Sequence, residues 1–256
     1  MLSFLFYFLI FVPIQKFITM KKQAEYIKRI EIKGLWGRKN ISWDLKPDVN
    51  ILSGVNGGGK STILNKSVNM LDMLEGGSLS NDESLGVRFV FYPEDATHIH
   101  YDVIRSFDRP LIHGDLMEKM ADKNVKSELD WQLYQLQRRY LDYQVNIGNR
   151  IIECLTSGHP EEATKISLPK TKFLDLIDDL YGETGKTIIR KSNEILFEQD
   201  GDTLYPYQLS SGEKQLLVIL LTVLVQDNQS GVLFMDEPEV SLHVEWQQRL
   251  IGLIRE

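Results

Sequence analysis

Apolar residues recur along the chain at two spacings, the alternate spacing of strands and the three-to-four spacing of helices. Segments 26–37 and 41–45 alternate as an antiparallel pair of strands, and two further strands are predicted between residues 87 and 107. Two shorter apolar runs, VNIL at 49–52 and VLFMD at 232–236, predict short buried strands, the second of them parallel to its neighbours. The pattern predicts a mixed α/β protein.

Helical spacing predicts five helices, at 61–74, 127–155, 171–181, 213–225 and 243–256. The segment 127–155 is the longest, with about seven or eight turns and one apolar face. The breakers Gly158, Pro160 and Pro169 separate it from the next helix. We favour a helical subdomain packed on the rest of the protein over a coiled-coil-like arm, because the apolar stripe is too short for a sustained heptad repeat.

A glycine-rich segment, GVNGGGKST at 54–62, fits the phosphate-loop pattern and lies between a predicted strand and a predicted helix. Glycines let backbone N–H groups approach a phosphate chain closely, and the helix N-terminus behind them favours an anion. Lys60 is expected to neutralise the β- and γ-phosphates, and the Ser61 hydroxyl to bind Mg²⁺. The candidate nucleotide-binding residues are Asn56, Gly57, Gly58, Gly59, Lys60, Ser61 and Thr62.

Two carboxylates follow the apolar run at 232–235. Asp236 stands at the end of the predicted strand, where it can hold Mg²⁺ together with Ser61. Glu237, one residue further, is the candidate catalytic residue because its carboxylate can polarise the attacking water. A strand end with two solvated acids is the competing interpretation, and the upstream phosphate loop disfavours it.

A third segment, LSSGEKQ at 209–215, runs into the helix predicted at 213–225. Its N–H groups and hydroxyls can face an anion, and Ser-x-x-Glu is also a helix-capping box. The segment resembles the signature motif of ATP-binding-cassette (ABC) ATPases, with Ser211 in place of the first glycine of the usual pair. In that family the motif contacts the γ-phosphate of ATP bound by the opposite subunit. The residues that the resemblance assigns to this contact are Ser210, Ser211, Gly212 and Glu213.

The branch of that family follows from two further features. The continuation DEPEVSLH at 236–243 resembles the soluble RecF-like, SMC-like and OLD-like ATPases, which include many stand-alone bacterial ATPases, rather than transporter subunits. Lys60 and Ser210 are 150 positions apart, a longer interval than in the transporter subunits, so the resemblance implies an inserted segment.

The resemblance implies an α/β P-loop NTPase fold with an ABC-type core, a mixed sheet flanked by helices, and a helical insertion. The expected units are an N-terminal extension at 1–19, the first part of the ATPase core at 20–110, the insertion at 111–185 and the second part of the core at 186–256.

The resemblance implies ATP and Mg²⁺ as ligands, and an ATP-dependent homodimer that hydrolyses ATP to ADP and phosphate to drive a conformational change. DNA repair and anti-phage defence are the processes that it suggests, with a nuclease or another effector as partner. Nucleic acid stays open as a ligand, and a membrane is disfavoured. Two alternatives also stay open: a transporter nucleotide-binding subunit, and a nucleotide-gated binding module that does not hydrolyse ATP.

Two further parts of the family pattern are the β-region that covers adenine and a glutamine that contacts the γ-phosphate. The first two predicted strands resemble the β-region that covers adenine, so Trp36 or Trp43 could stack on the base, although each is more commonly a packing residue. The family also has a glutamine that senses the γ-phosphate after the strands at 87–107. No glutamine lies between Gln23 and Gln132, so that role is unassigned.

Composition agrees with an ATPase of the cytoplasm. The 29 lysines and arginines against 36 aspartates and glutamates give a net charge of −7. This charge argues against DNA binding by electrostatic attraction over the whole protein surface. The single cysteine, Cys154, rules out an internal disulfide and suits a reducing compartment.

Both ends of the sequence depart from the expected pattern. The apolar run at 1–12 would span about 18 Å as a helix, less than the roughly 30 Å core of a bilayer. Met20 with two following lysines resembles a natural start. We therefore interpret residues 1–19 as translated upstream sequence or a disordered extension, and a membrane anchor is the less favoured alternative. The family pattern has a further strand and a switch histidine after the helix at 243–256. We therefore expect a truncated chain that binds ATP but hydrolyses it weakly.

Overall fold

The computed structural model describes residues 22–75, 86–105 and 125–255. The expected extension at 1–19 and the first part of the expected insertion, 111–124, lie outside the described residues. The strands are β1 Tyr26–Leu35, β2 Lys39–Asp44, β3 Val87–Tyr92, β4 His100–Arg105, β5 Thr187–Ile188, β6 Phe197–Gln199, β7 Asp202–Leu204 and β8 Gly231–Asp236. The helices are α1 Lys60–Glu75, α2 Glu128–Thr156, α3 Pro160–Gly182, α4 Ser211–Val225 and α5 Val244–Arg255.

The N-terminal part is a three-stranded antiparallel sheet of order β2–β1–β3. Alternate side chains of β1, Ile30 and Ile32, are buried in one core with Phe89 of β3 and Leu71 of α1. The period of two in the sequence therefore matches the side of the sheet that α1 covers. The strands predicted at 26–37 and 41–45 are confirmed, as is the first of the two predicted between 87 and 107.

A two-stranded parallel pair, β4 and β8, carries the acidic residues. Arg105 at the end of β4 lies opposite Asp236 at the end of β8, so the carboxyl ends of both strands meet at one edge. The parallel pairing is confirmed, but β8 is only partly buried, because β4 is its sole partner strand among the described residues.

β8 separates the two hydrophobic cores of the protein. Val232 and Phe234 pack against the core of the antiparallel sheet, whereas Leu233 and Met235 pack against the core formed by the helices. Successive side chains of a strand point to opposite faces, so β8 has apolar neighbours on both sides. This arrangement explains why its sequence is a continuous apolar run rather than an alternating one.

The run at 49–52, predicted as a buried strand ahead of the phosphate loop, is irregular in structure. Ile51 is 78% exposed. The Asn50 side chain accepts the N–H of Lys46 at 2.9 Å and donates to the Lys46 carbonyl at 2.9 Å, which fixes a local turn. The prediction is wrong because an apolar run forms a strand only where a neighbouring strand supplies ladder hydrogen bonds, and no described strand pairs with this one.

The long helix predicted at 127–155 is confirmed as α2. Its buried residues repeat every three or four positions and are Leu129, Asp130, Leu133, Leu136, Tyr140, Tyr143 and Ile147. The apolar members of this stripe share one core with α3 and α4. α2 therefore packs along the protein rather than projecting from it as an arm.

The second predicted helix begins earlier than expected. α3 starts at Pro160 rather than at 171 and continues through Pro169. Proline at the first helical position removes no hydrogen bond. Pro169 does remove one, but Phe173 and Ile177 in the following turns are buried, and their burial offsets that loss.

α4 is the central helix of the structure and is reached from α3 through the small antiparallel sheet β5–β6–β7. All residues from 213 to 222 are buried, since other elements surround the helix on every side. Although α4 is strongly apolar, none of the helices within the described ranges combines the length and the hydropathy needed to cross a membrane.

We expect Ser127→Ala to lower the free energy of unfolding by about 1 kcal/mol. Ser127 caps α2: its Oγ accepts the N–H of Asp130 at 3.2 Å, and the Asp130 carboxylate accepts the N–H of Ser127 at 3.1 Å. The matched control is Ser167→Ala inside α3, where alanine is the better helix former and the change should be neutral or stabilising. Urea unfolding followed by circular dichroism measures both variants, and equal losses would contradict the capping role.

Candidate nucleotide-binding site

The phosphate loop is a tight turn that leads directly into α1. Gly57 and Gly59 have left-handed φ angles of 77° and 93°, which residues with a β-carbon adopt only with strain. The Lys60 Nζ donates to the carbonyl oxygens of Gly54 at 2.9 Å and Val55 at 3.3 Å. These two hydrogen bonds place the Lys60 ammonium group against the phosphate loop, where it can reach an anion bound by the loop.

The acidic strand converges on this loop. The Ser61 Oγ donates to the Asp236 Oδ1 at 3.1 Å, which links the first turn of α1 to the end of β8. Glu237 has a left-handed φ of 50°, so the chain turns away from the strand direction there. A cavity of about 480 Å³ lies at this point and is lined by Trp36, Asn56, Gly57, Gly59, Lys60, Ser61, Thr62 and Glu237. Of the predicted loop residues, Gly58 is not in this lining, and its N–H donates to the Val55 carbonyl at 3.0 Å.

The oxygen atoms at this junction suit Mg²⁺. This ion usually binds through one or two carboxylates and completes its shell with water and substrate phosphates. Ser61 and Asp236 supply a hydroxyl and a carboxylate of this kind. Across the described ranges, no group of three or more His, Cys, Asp or Glu residues could hold a metal. A hydroxyl and one carboxylate leave room in the shell for water and phosphate oxygens, as Mg²⁺ requires.

Trp36 lies over the phosphate loop. Its indole ring packs against Gly59 so closely that a β-carbon at position 59 would overlap the ring. Lys39 Nζ lies 5.5 Å from the centre of the same ring, and Trp36 has a left-handed φ of 54°. Of the two tryptophans considered for stacking on the base, Trp36 lines the cavity and Trp43 does not.

The predicted signature segment opens α4. The Ser210 Oγ accepts the N–H of Glu213 at 3.4 Å, and the Glu213 carboxylate accepts the N–H of Ser210 at 2.9 Å. Ser210 and Ser211 are exposed. Gly212 lies against the segment that follows the acids, since a β-carbon there would be 2.5 Å from the Ser241 carbonyl oxygen. The start of α4 and the segment after β8 are therefore in direct contact.

Glu213 faces the interior of its own chain and is 3% exposed. Its Oε1 accepts hydrogen bonds from Thr184 Oγ1 and Lys186 Nζ, both at 2.9 Å. Burial raises the pKa of Glu213, but the hydrogen bonds from Lys186 and Ser210 outweigh it and bring the pKa below its usual value. The Glu213 carboxylate therefore fixes the start of α4. The contact of residue 213 with a partner's nucleotide stays a prediction, and the carboxylate is already engaged within its own chain.

Several polar contacts at the site have no counterpart in the sequence motifs. Lys186 pairs with Glu213, and Lys214 forms a buried ion pair with Asp130 at 2.8 Å. Gln132 Nε2 donates to the Arg105 carbonyl at 3.1 Å, which places a glutamine of α2 at the carboxyl end of β4. The sequence shows Lys214 only as a charged residue just before the apolar run of α4, and this position does not reveal a partner 84 positions away.

We expect Gly212→Ala to destabilise the protein by about 1–3 kcal/mol, because its β-carbon meets a main-chain oxygen rather than a flexible side chain. The matched control is Gly252→Ala in α5, where no atom lies within 4 Å of the added carbon. Alanine there should stabilise the helix by about 0.5–1 kcal/mol. Urea unfolding separates the two, and a Gly212→Ala protein as stable as Gly252→Ala would contradict the contact with Ser241.

Comparison with known proteins shows a family match and a similarity to a curated protein. Residues 104–256 match the family described as "AAA domain, putative AbiEii toxin, Type IV TA system", a range that begins after the phosphate loop and contains the signature segment and β8. An uncharacterised protein of Dictyostelium discoideum is 42% identical over 71 residues, which make up 25% of this chain and 9% of that protein. Because the family match covers more than half of the sequence, the chain belongs to this AAA-domain family of α/β P-loop ATPases.

Proposed function

We propose that this protein is an ATPase of the soluble RecF-, SMC- and OLD-like ABC branch, which holds ATP between two copies and hydrolyses it to ADP and phosphate. One observation carries the proposal. Ser61 and Asp236 are 175 positions apart in the sequence and meet at 3.1 Å, beside a cavity that Lys60 and Glu237 also line. A phosphate loop, a lysine, a hydroxyl and two acids are the groups that phosphoryl transfer to water requires.

Each of these side chains has a distinct task in the proposal. Lys60 exchanges its bonds to loop carbonyls for bonds to phosphate oxygens, which are stronger because both partners are charged. Glu237 orients the attacking water and accepts its proton. Ser61 and Asp236 would hold Mg²⁺, which when bound neutralises the charge that develops on the phosphate oxygens.

The second half of the proposed site comes from another copy of the chain. Ser210 and Ser211 lie at the exposed N-terminus of α4, where the helix dipole and the first N–H groups favour an anion. Neither residue lines the phosphate-loop cavity of the same chain. In the proposed two-fold symmetric dimer, the anion at this helix end would be the γ-phosphate on the partner's loop.

We propose that the protein acts in the cytoplasm, in DNA repair or anti-phage defence. There, ATP-driven closure of the dimer would control an effector. The description of the matched family, which names a toxin, supports a defence role. A nuclease or a comparable effector is the proposed partner. The net charge of −7 disfavours a broad electrostatic surface for DNA, although a local groove on the dimer face could still be basic.

Nucleotide binding and phosphate release test the proposal in three variants. Lys60→Ala should lose ATP binding. Glu237→Gln should keep ATP binding, lose about 10²- to 10⁴-fold in hydrolysis and accumulate as an ATP-bound dimer in size-exclusion chromatography with light scattering. Lys66→Ala, an exposed lysine elsewhere on α1, is the control and should behave as the wild type.

Two results would overturn parts of the proposal. Wild-type turnover by Glu237→Gln would remove Glu237 from the catalytic role. A wild-type protein that binds ATP and dimerises without releasing phosphate would be the non-hydrolysing binding module instead.

A further inference from the structure

The first turn of α4 is tied to the helical segment by two buried ion pairs. Lys186 Nζ lies 2.9 Å from Glu213 Oε1, and Lys214 Nζ lies 2.8 Å from Asp130 Oδ1. The four side chains are between 4% and 12% exposed. Asp130 belongs to the first turn of α2 and Lys186 follows α3, so both ends of the α2–α3 segment reach the same turn of α4.

The pair with Lys186 belongs to a closed hydrogen-bond network. The Glu213 carboxylate accepts bonds from Thr184 Oγ1 and Lys186 Nζ on one oxygen, and from the N–H and Oγ of Ser210 on the other. The Tyr181 hydroxyl donates to the Glu213 carbonyl at 2.6 Å. Lys186 and Ser210 bind the same carboxylate. A displacement of Lys186 would therefore move Glu213 and, with it, the exposed Ser210 at the start of α4.

The pair with Lys214 joins the starts of two helices. One oxygen of Asp130 accepts from Lys214 Nζ, while the other accepts the N–H groups of Lys126 at 3.0 Å and Ser127 at 3.1 Å. The carboxylate that caps α2 therefore also anchors α4. A rotation of α2 about its first turn has to move Lys214.

Stability alone is a poor explanation for these charges. Burying an ion pair costs desolvation free energy, and apolar residues of similar size are often as stable or more so. From Leu216 onwards apolar side chains already hold α4 in the core. Apolar contacts have no preferred direction, whereas charged hydrogen bonds fix an orientation. Both pairs lie in the turn that presents Ser210 and Ser211.

We propose that Lys186 and Asp130 are positioning residues that aim the start of α4 at the ATP held by a partner copy. This inference rests on the proposed function, because it needs a nucleotide shared between two chains. The two residues act through Glu213 and Lys214 and touch no nucleotide themselves. The α2–α3 segment thereby sets whether a dimer is competent for hydrolysis, while each chain alone keeps its affinity for ATP.

The experiment compares Lys186→Met and Lys186→Arg with the control Lys191→Met. Lys191 is an exposed lysine that also lies between α3 and α4, just after β5. ATP affinity is measured at protein concentrations that keep the chain monomeric, and turnover and dimerisation are measured at high concentration. We expect Lys186→Met to keep its affinity within about twofold and to lose at least about tenfold in kcat, together with ATP-dependent dimerisation. Lys186→Arg should restore much of both, and Lys191→Met should match the wild type.

A double variant covers the case in which Lys186→Met does not fold. Removing one partner leaves a buried charge uncompensated, so Lys186→Met with Glu213→Gln removes both charges. The folded double variant should show the same loss of kcat with unchanged ATP affinity. Wild-type kcat in either folded variant, or an equal loss of affinity and kcat, would overturn the positioning role. A wild-type protein that neither dimerises with ATP nor hydrolyses it would instead overturn the proposed function on which this inference rests.

Discussion

The geometry of the candidate site depends on the hydrogen bond between Ser61 and Asp236, which joins two parts of the protein that have separate hydrophobic cores. Ser61 belongs to α1, which is packed under the antiparallel sheet. Asp236 ends β8, which pairs with β4 and lies between the two cores, with apolar side chains packed against each. Apolar burial positions each part but has no preferred direction. A directional contact at 3.1 Å at the junction sets the distance between the phosphate loop and the acids.

A second constraint operates at the other candidate half-site. The start of α4 is fixed by the capping box of Ser210 and Glu213, by the contact of Gly212 with Ser241, and by buried partners from the α2–α3 segment. These contacts leave Ser210 and Ser211 as the exposed end of a helix that is otherwise buried. In our proposal, the same fold holds one nucleotide-facing surface on the phosphate loop and a second one that serves a neighbouring copy.

Periodicity and motifs predict a large part of this arrangement because they reflect local physics. The alternation in β1 and the three-to-four spacing in α2 follow from which face of an element is buried. The phosphate-loop pattern is contiguous in sequence, and all of its candidate residues except Gly58 line the cavity. The sequence identifies Trp36 only as a candidate for stacking on the base. Its position over Gly59 follows from the left-handed backbone after β1, which no motif encodes.

Predictions failed where the outcome depends on distant partners. The run at 49–52 has strand-like composition, but a strand needs a neighbour that the local sequence cannot supply. Pro169 was expected to interrupt a helix, and the buried residues beyond it keep α3 continuous. The signature resemblance likewise gives no indication that Lys186 and Thr184 bind the Glu213 carboxylate within the same chain. The ion pair of Lys214 with Asp130 spans 84 positions, and a lysine at the start of an apolar helix does not indicate which residue it pairs with.

The central claim, that two copies share each ATP, is tested most directly by mixing two inactive variants. Lys60→Ala removes the lysine that binds the phosphates and leaves the start of α4 intact. Ser211→Arg blocks the exposed start of α4 and leaves the phosphate loop intact. A mixed dimer contains one site in which both halves are intact. Each variant alone should be inactive, and an equal mixture should recover about a quarter of the wild-type ATPase rate by random pairing. A mixture as inactive as its components, or Ser211→Arg alone at the wild-type rate, would contradict the shared site.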